Sequence, residues 1–476
     1  MPRPSLEEAC TKIVATVGPA CSTVDQLSLL IDAGVDVFRI NTAHGTREQH
    51  QQVLDDIRSA SRQSNFETGV LLDLAGPKIR LGNLKVDPYE CEIGSTVRFI
   101  RGDEATCATD LTSSYKKLID ELEVGNRVML ADGTVTLTVQ QADEECAVCR
   151  VVAGGQIRSR QGINLPGVKL SVSALLPRDI DNAIWGAQNG IDFISLSFVR
   201  CAEDIQTLKQ LLATHESNAL VIAKIEKPEA LEHLDAIVEA TDGVMVARGD
   251  LGVEIDVAET PIAQKRIIRV CKEKMKPVIV ATQMLESMHH SARPTRAEAS
   301  DVANAILDGT DACMLSGETA IGDHPAKAVE MMNRIMLCTE RELVHNMADR
   351  NYTNRVHPIT SAVTHAATNI AESIRAKLIV IATRSGGTAW VKSKSRSLVP
   401  TLGASDAPAT LRRMNLLWGI KPFPATQLLD NPAFIDEVCR WGREHGYLQT
   451  GDLVVFVTGS GVVKKAHNQL LVHTVE

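Results

Sequence analysis

The 476 residues carry a formal net charge of −9, and only 3% of them are aromatic. That length implies roughly two to four domains with ample core, and the acidic balance disfavours nonspecific nucleic-acid binding. No apolar run reaches the roughly 20 residues of a membrane span, the first ten residues lack a signal-peptide core, and eleven scattered cysteines read as reduced thiols of a cytoplasmic protein.

The first strand reads Thr11-Lys-Ile-Val-Ala-Thr-Val and closes on Gly18-Pro19. A helix follows over 24–33, then Val37-Phe-Arg-Ile-Asn-Thr-Ala-His-Gly, a second strand running into polar residues. After another helix, a third strand, Gly69-Val-Leu-Leu-Asp, leads into Ala75-Gly-Pro-Lys-Ile-Arg80. From about 82 to 170 short β-like runs alternate with turns such as Ala131-Asp132-Gly133, the pattern of an inserted β domain. One Cys-x-x-Cys, Cys146 and Cys149, falls inside such a run. Residues three apart on a strand face opposite sides, which argues against a metal or redox pair.

The αβ rhythm then resumes, with strands expected over 193–198, 220–225, 243–247, 277–282 and 312–316. With the first three they make eight, the number for a (β/α)₈ TIM barrel interrupted once. Polar residues stand at their carboxyl ends: Asn41, Asp73, Ser197, Lys224, Asp250, Thr282 and Glu318. In such barrels that face carries the site. A doubly wound open sheet competes, but no Gly-x-Gly-x-x-Gly follows the first strand. The domains expected are a barrel over 1–81 and 171–345, a small β-barrel lid over 82–170 and an α/β domain over 346–476. No internal repeat is evident.

The barrel stretch 219–254 is chemically the most pointed. One apolar strand delivers Lys224 and Glu226, and the next delivers Arg248, Gly249 and Asp250. The two carboxylates are hard oxygen ligands suited to Mg²⁺, beside an ammonium that suits an anionic substrate. Taken singly, each would read as an ordinary surface charge; the equivalent level on two strands favours a site.

Several motifs occur in order: Arg39-Ile-Asn41 with His44-Gly45, Ala75-Gly-Pro-Lys-Ile-Arg80, Gly162-Ile-Asn-Leu-Pro-Gly167, Lys224-Ile-Glu226, Met245-Val-Ala-Arg-Gly-Asp-Leu-Gly-Val-Glu254, Ala281-Thr-Gln-Met and Leu315-Ser-Gly-Glu-Thr319. Along nearly its full length the chain therefore resembles the pyruvate kinases. The resemblance implies phosphoryl transfer from phosphoenolpyruvate to ADP, giving pyruvate and ATP, in a homotetramer. It implies that Glu226 and Asp250 hold Mg²⁺, or Mn²⁺ in its place. Lys224 would meet the phosphoryl group and the developing enolate. The backbone of Ala247, Arg248, Gly249 and Asp250 would receive the substrate carboxylate, and Thr282 would lie near the enol carbon. Arg39 and Arg80 would grip the transferring phosphate, with Asn41 and His44 near the nucleotide.

The chain departs from the K⁺-dependent members in Ala43, which replaces a serine, and in Lys78, which replaces a glutamate before Ile-Arg. Leu74 and Leu81 are apolar where that type tends to be polar. Lys78 is expected to act as a built-in cation, so that K⁺ is not required; the alternative is a lysine pointing to solvent. Gln161 replaces a lysine that meets the nucleotide in many members. Asp132 reads either as a lid contact to the metal–nucleotide complex or as an ordinary turn residue.

In the C-terminal domain, Thr383-Arg384-Ser385-Gly386-Gly387-Thr388 follows a strand and offers hydroxyls, N–H groups and one cation, the parts of a phosphate cradle. The family uses this loop for sugar-phosphate activators, whereas the later loop Thr458-Gly-Ser-Gly461 has little of the usual form. An ordinary strand–helix turn is the alternative. Two rival functions remain: a lyase or aldolase on a similar barrel, and a catalytically silent sensor of sugar phosphates or nucleotides.

Overall fold

A computed structural model describes residues 9–343, 358–428, 431–458 and 469–476. Eight strands build the barrel: β1 (Lys12–Thr16), β2 (Val37–Asn41), β3 (Gly69–Asp73), β4 (Phe193–Leu196), β5 (Leu220–Ile225), β6 (Gly243–Ala247), β7 (Val278–Ala281) and β8 (Ala312–Leu315). All neighbours are parallel, and β8 pairs with β1 to close the ring. Strands β4 and β7 stop short of 198 and 282. Phe198 and Thr282 take φ values of 56° and 68°, which an extended strand cannot hold. Helices begin at sequence-coded caps. The Thr23 hydroxyl accepts from Gln26 N–H to open Val24–Ala33, and Thr295 does the same with Glu298 for Arg296–Asp308.

The barrel's interior explains where its chemistry must sit. Val14, Val37, Leu71, Phe193, Ile222, Met245 and Ile279 form a buried apolar cluster. Two residues further along five of these strands stand Thr16, Arg39, Asp73, Ser195 and Lys224. A period of two returns the side chain to the same inward face. The apolar floor and the polar layer above it are thus one alternation read twice.

At the opposite end, Asp36, Asp192, Asp242 and Asp311 each immediately precede an even-numbered strand. Their carboxylates accept the N–H groups of Ile13, Val70, Val221 and Val278 on the odd-numbered neighbours, at 2.8 to 3.0 Å. These strand-end donors lie beyond the ladder and need a partner once buried. A short Gly-x-Asp signature recurs at 34–36, 190–192 and 309–311, with Thr241-Asp242 in the fourth place. Its unequal spacing hides it from a search by period.

The insertion after β3 forms a six-stranded sheet and a two-stranded ribbon around Val97, Phe99, Leu137, Val139, Cys149 and Val151. Cys149 is buried there and Cys146 is not, as opposite faces require. The C-terminal domain carries β9 (Leu378–Ala382), β10 (Thr401–Ser405), β11 (Ile420–Pro424), β12 (Leu453–Thr458) and β13 (Gln469–Thr474), in the order β11-β10-β9-β12-β13. It grips the barrel floor on opposite sides of the ring. Arg412 Nε lies 2.9 Å from Asp192, while Lys394 Nζ and Arg396 Nη2 lie 2.7 and 3.0 Å from Asp311. Leu416 joins the apolar cluster between them, a burial that contributes about 2 kcal/mol. No helix of the described residues is long and apolar enough to cross a membrane.

Candidate active site

The polar layer is one connected network. Arg39 donates from Nε and Nη2 to Asp73 Oδ2 at 2.8 and 2.5 Å, and from Nη1 to Thr16 Oγ1 at 3.0 Å. Asp73 Oδ1 accepts from Ser195 at 2.6 Å and lies 3.5 Å from Lys224 Nζ. Burial works against its charge, but Lys224 and Arg39 outweigh it and hold the Asp73 carboxyl below the usual range. Lys224 itself lies 2.7 Å from Glu226 Oε1 and donates to Ser197 Oγ at 2.8 Å. Burial would favour a neutral amine, yet Asp73 and Glu226 hold it above its usual value. It stays an ammonium.

Glu226 accepts from the Phe198 N–H at 2.8 Å through Oε2. Its Oε1 is buried and paired with the Lys224 ammonium. Burial pushes its pKa up despite Lys224, and the nearby Asp250 pushes the same way. A buried carboxylate with a second one nearby offers the hard oxygens a divalent cation takes, and Mg²⁺ is usually held by one or two carboxylates with substrate and water completing the shell. Asp250 is half-buried, and Lys78 Nζ lies 3.5 Å from its Oδ1. Lys78 is exposed, with its ammonium turned toward Asp250. Leu74 and Leu81 are buried beside this loop.

The turn after β7 is strained and braced. Thr282 and Gln283 both have positive φ, 68° and 54°, unusual for a β-branched residue. Arg248 donates to Thr282 O at 2.7 Å and Gln283 O at 2.9 Å, and pairs with Asp301 at 2.5 Å. Its guanidinium is thereby committed to the turn, which leaves its backbone for the site. The Gly249 N–H donates to Thr282 Oγ1 at 2.8 Å, and a Cβ there would lie 3.3 Å from that oxygen. A side chain there would crowd the contact. Glu318 caps this region structurally, accepting from Leu285 and Ser316 N–H groups.

The structure thus brings Arg39, Lys78, Lys224, Glu226, Asp250 and the Gly249–Thr282 contact to one end of the barrel. Asn41, His44 and Arg80 stand apart, and none of their hydrogen bonds reaches this cluster. Asn41 Oδ1 accepts from Ala43 N–H at 3.1 Å, His44 is exposed, and Arg80 Nη1 donates to Arg160 O at 3.2 Å. Asp132 is exposed at φ 53° in the lid turn Ala131–Gly133. The sequence reading named Asp73 and Ser197 only as strand-end residues and missed Thr16 and Ser195. The position two residues after the inward apolar one was the signal that finds Thr16, Asp73 and Ser195, and one more step of two reaches Ser197.

In the C-terminal domain the Gly386 N–H donates to Thr383 Oγ1 at 3.0 Å, and Gly386 takes φ 87° to open the helix Gly387–Lys394. Ser385, Gly386 and Gly387 line a cleft of about 360 Å³ against the barrel, with Lys276, Trp390 and Arg413. Burial lowers the pKa of both Lys276 and Arg413. Of Thr458-Gly-Ser-Gly461, all but Thr458 lies outside the described residues.

Residues 9–329 match the family model "Pyruvate kinase, barrel domain", and residues 361–473 match "Pyruvate kinase, alpha/beta domain". A pyruvate kinase of Geobacillus stearothermophilus is 39% identical over 98% of this chain and 80% of its own length. One of Mycobacterium intracellulare is 40% identical over 94% of each. A solved pyruvate kinase from Cryptosporidium parvum superposes with a TM-score of 0.90 at 32% identity, over 99% of this chain and 97% of that one.

Proposed function

We propose, for a chain that belongs to the pyruvate kinase family and is a phosphotransferase, that Lys224, Glu226 and Asp250 form the centre of its reaction. The family converts phosphoenolpyruvate and ADP to pyruvate and ATP and generally uses Mg²⁺. The observation that carries the reading is the inward layer Thr16–Arg39–Asp73–Ser195–Lys224, which delivers two fixed cations beside two carboxylates.

Glu226 and Asp250 would hold Mg²⁺, with Mn²⁺ able to replace it; bound there, the ion supplies charge to the substrate's carboxylate and phosphoryl oxygens. Lys224, preorganised by Asp73 and Ser197, stabilises the negative charge that grows on the enolate oxygen as the phosphoryl group leaves. Arg39 faces the same group and is fixed by Asp73 and Thr16. Such groups need no reorganisation when charge develops, which is why each is worth so much. The backbone at Ala247, Arg248, Gly249 and Asp250 would seat the substrate carboxylate once the Gly249–Thr282 contact yields. Thr282 places a hydroxyl where the enol carbon must gain its proton. Asn41, His44 and Arg80 form the nucleotide side, which Asp132 reaches from the lid.

Lys78 supplies a fixed ammonium where other members recruit K⁺, so this enzyme works without K⁺. Its placement 3.5 Å from Asp250 supports that reading against a solvent-facing lysine. The loop Thr383, Arg384, Ser385, Gly386, Gly387 and Thr388 binds a sugar-phosphate effector, supported by the cleft and by the two half-buried cations, Lys276 and Arg413, that line it. The enzyme is a cytoplasmic homotetramer. Pyruvate formation from phosphoenolpyruvate and ADP tests the centre. Glu226→Gln and Asp250→Asn should each raise the Mg²⁺ concentration needed for half-maximal rate by tenfold or more. A wild-type protein that binds nucleotide yet forms no pyruvate would instead be a silent sensor.

A further inference from the structure

Away from the reacting groups lies a buried carboxylate that the chemistry does not use. Glu254 ends the helix Arg248–Glu254, whose first turn holds Gly249 and Asp250. Its Oε1 lies 2.6 Å from Lys227 Nζ, and both side chains are about nine-tenths or more buried. The same oxygen accepts from Asn164 Nδ2 at 3.3 Å. Asn164 belongs to the lid, in its strand Ile163–Asn164. Lys227 follows Lys224 and Glu226 directly, and its ammonium sits 5.7 Å above the ring of Phe198, whose backbone N–H holds Glu226.

Three segments therefore meet on one carboxylate: the lid's return strand, the helix that presents Asp250, and the turn that presents Glu226. Nearby contacts point the same way. Arg200, just after β4, donates to Leu170 O and Val172 O at 2.6 Å each, on the chain returning from the lid. A Cβ on Gly133 of the lid turn would lie 3.7 Å from Val253. The lid rests on the Asp250 helix through these contacts. A hydrogen bond to a charged group shifts an equilibrium by roughly 10- to 100-fold.

We infer that Glu254 is a positioning residue that latches the lid to the Asp250 helix and the Glu226 turn, so that the lid closes against the segments that carry both carboxylates. The inference rests on the reading of Glu226 and Asp250 as the centre of the reaction. Loss of the latch weakens confinement of the nucleotide under the lid, which raises the KM for ADP more than it lowers kcat.

The test is a charge exchange in the full-length enzyme. Asn164→Asp faces the Glu254 carboxylate with a second one. It should raise the KM for ADP about tenfold and speed amide hydrogen exchange at 77–82 and 162–168, with kcat changed less than threefold. Asn164→Asp/Glu254→Gln restores a donor–acceptor pair, keeps one carboxylate for Lys227, and should return both readings to within about threefold of wild type. A packing defect would not be rescued by an amide–carboxylate swap. Wild-type KM and exchange in Asn164→Asp, or a double variant no better than the single, would overturn the latch. Failure of the underlying reading looks different: the wild-type enzyme itself would form no pyruvate.

Discussion

Arg39 and Lys224 share Asp73, yet they come to it from opposite sides and for different tasks. Arg39 spends three N–H groups on Asp73 and Thr16, which fixes the plane of its guanidinium. Lys224 is a point charge between Asp73, Glu226 and Ser197. Substituting Lys224→Met removes a contact made chiefly in the transition state. It should lower kcat by on the order of hundreds-fold, about 3–4 kcal/mol of barrier, with the KM for phosphoenolpyruvate changed far less. Steady-state kinetics at saturating Mg²⁺ checks this. The same change leaves Asp73 and Glu226 short of a cation, so the thermal midpoint should fall as well. Arg248 makes a different prediction. Arg248→Met strips the Thr282 and Gln283 carbonyls of their donors, and each buried group left unpaired costs about 1–3 kcal/mol. Denaturant unfolding should show that loss, and kcat should fall because Thr282 no longer holds its place. At this scale the sequence was readable where charge stands at a strand's end, as in Lys224, Glu226 and Asp250. Asp73 and Ser195 lie inside apolar runs, so their role appears only when the alternation is followed inward from Leu71 and Phe193.

Among elements, the barrel floor is as organised as the site above it. Each even-numbered strand starts behind an aspartate that closes the neighbouring strand's backbone. Two of the four also receive cations from the C-terminal domain. Asp311→Asn should be costly, roughly 3–5 kcal/mol, because Lys394 and Arg396 lose the charge they were buried against. Lys394 carries a pH signature. Burial pushes its pKa down from 10.5 to about 8 despite Asp311. Between those values the unfolded chain holds the extra proton, so stability rises with pH across that window. The gain is about 3 kcal/mol from this group. Lys394→Met should abolish that rise, as unfolding at pH 7.5 and 9.5 would show. None of this was legible beforehand. The Gly-x-Asp signature is short and irregularly spaced, and partners 80 to 220 residues distant cannot be paired by local pattern. The strands themselves were legible to within a residue or two at their ends, and two of the overruns stop where Phe198 and Thr282 adopt left-handed backbone conformations.

At the scale of the whole molecule, three bodies meet at surfaces made of charge. The inserted sheet meets the barrel where Asn164 reaches Glu254, itself paired with Lys227, and the C-terminal domain holds the floor through Asp192 and Asp311. The order of these bodies followed from composition alone, since helical periods vanish over 82–170 and return afterwards. Lys78 sits where lid and barrel join, and its ammonium reaches Asp250 from the barrel side. If Lys78 stands in for K⁺ as proposed, Lys78→Glu should make the enzyme respond to K⁺, because the carboxylate removes the ammonium and creates a site for a mobile cation.

The most direct measurement is pyruvate formation from phosphoenolpyruvate and ADP with Mg²⁺, with and without K⁺, at constant ionic strength. Equal rates in both conditions are expected, from a centre whose monovalent charge is Lys78. A rate that appears only with K⁺ would contradict the role given to Lys78, and no pyruvate in either condition would contradict the centre built on Lys224, Glu226 and Asp250.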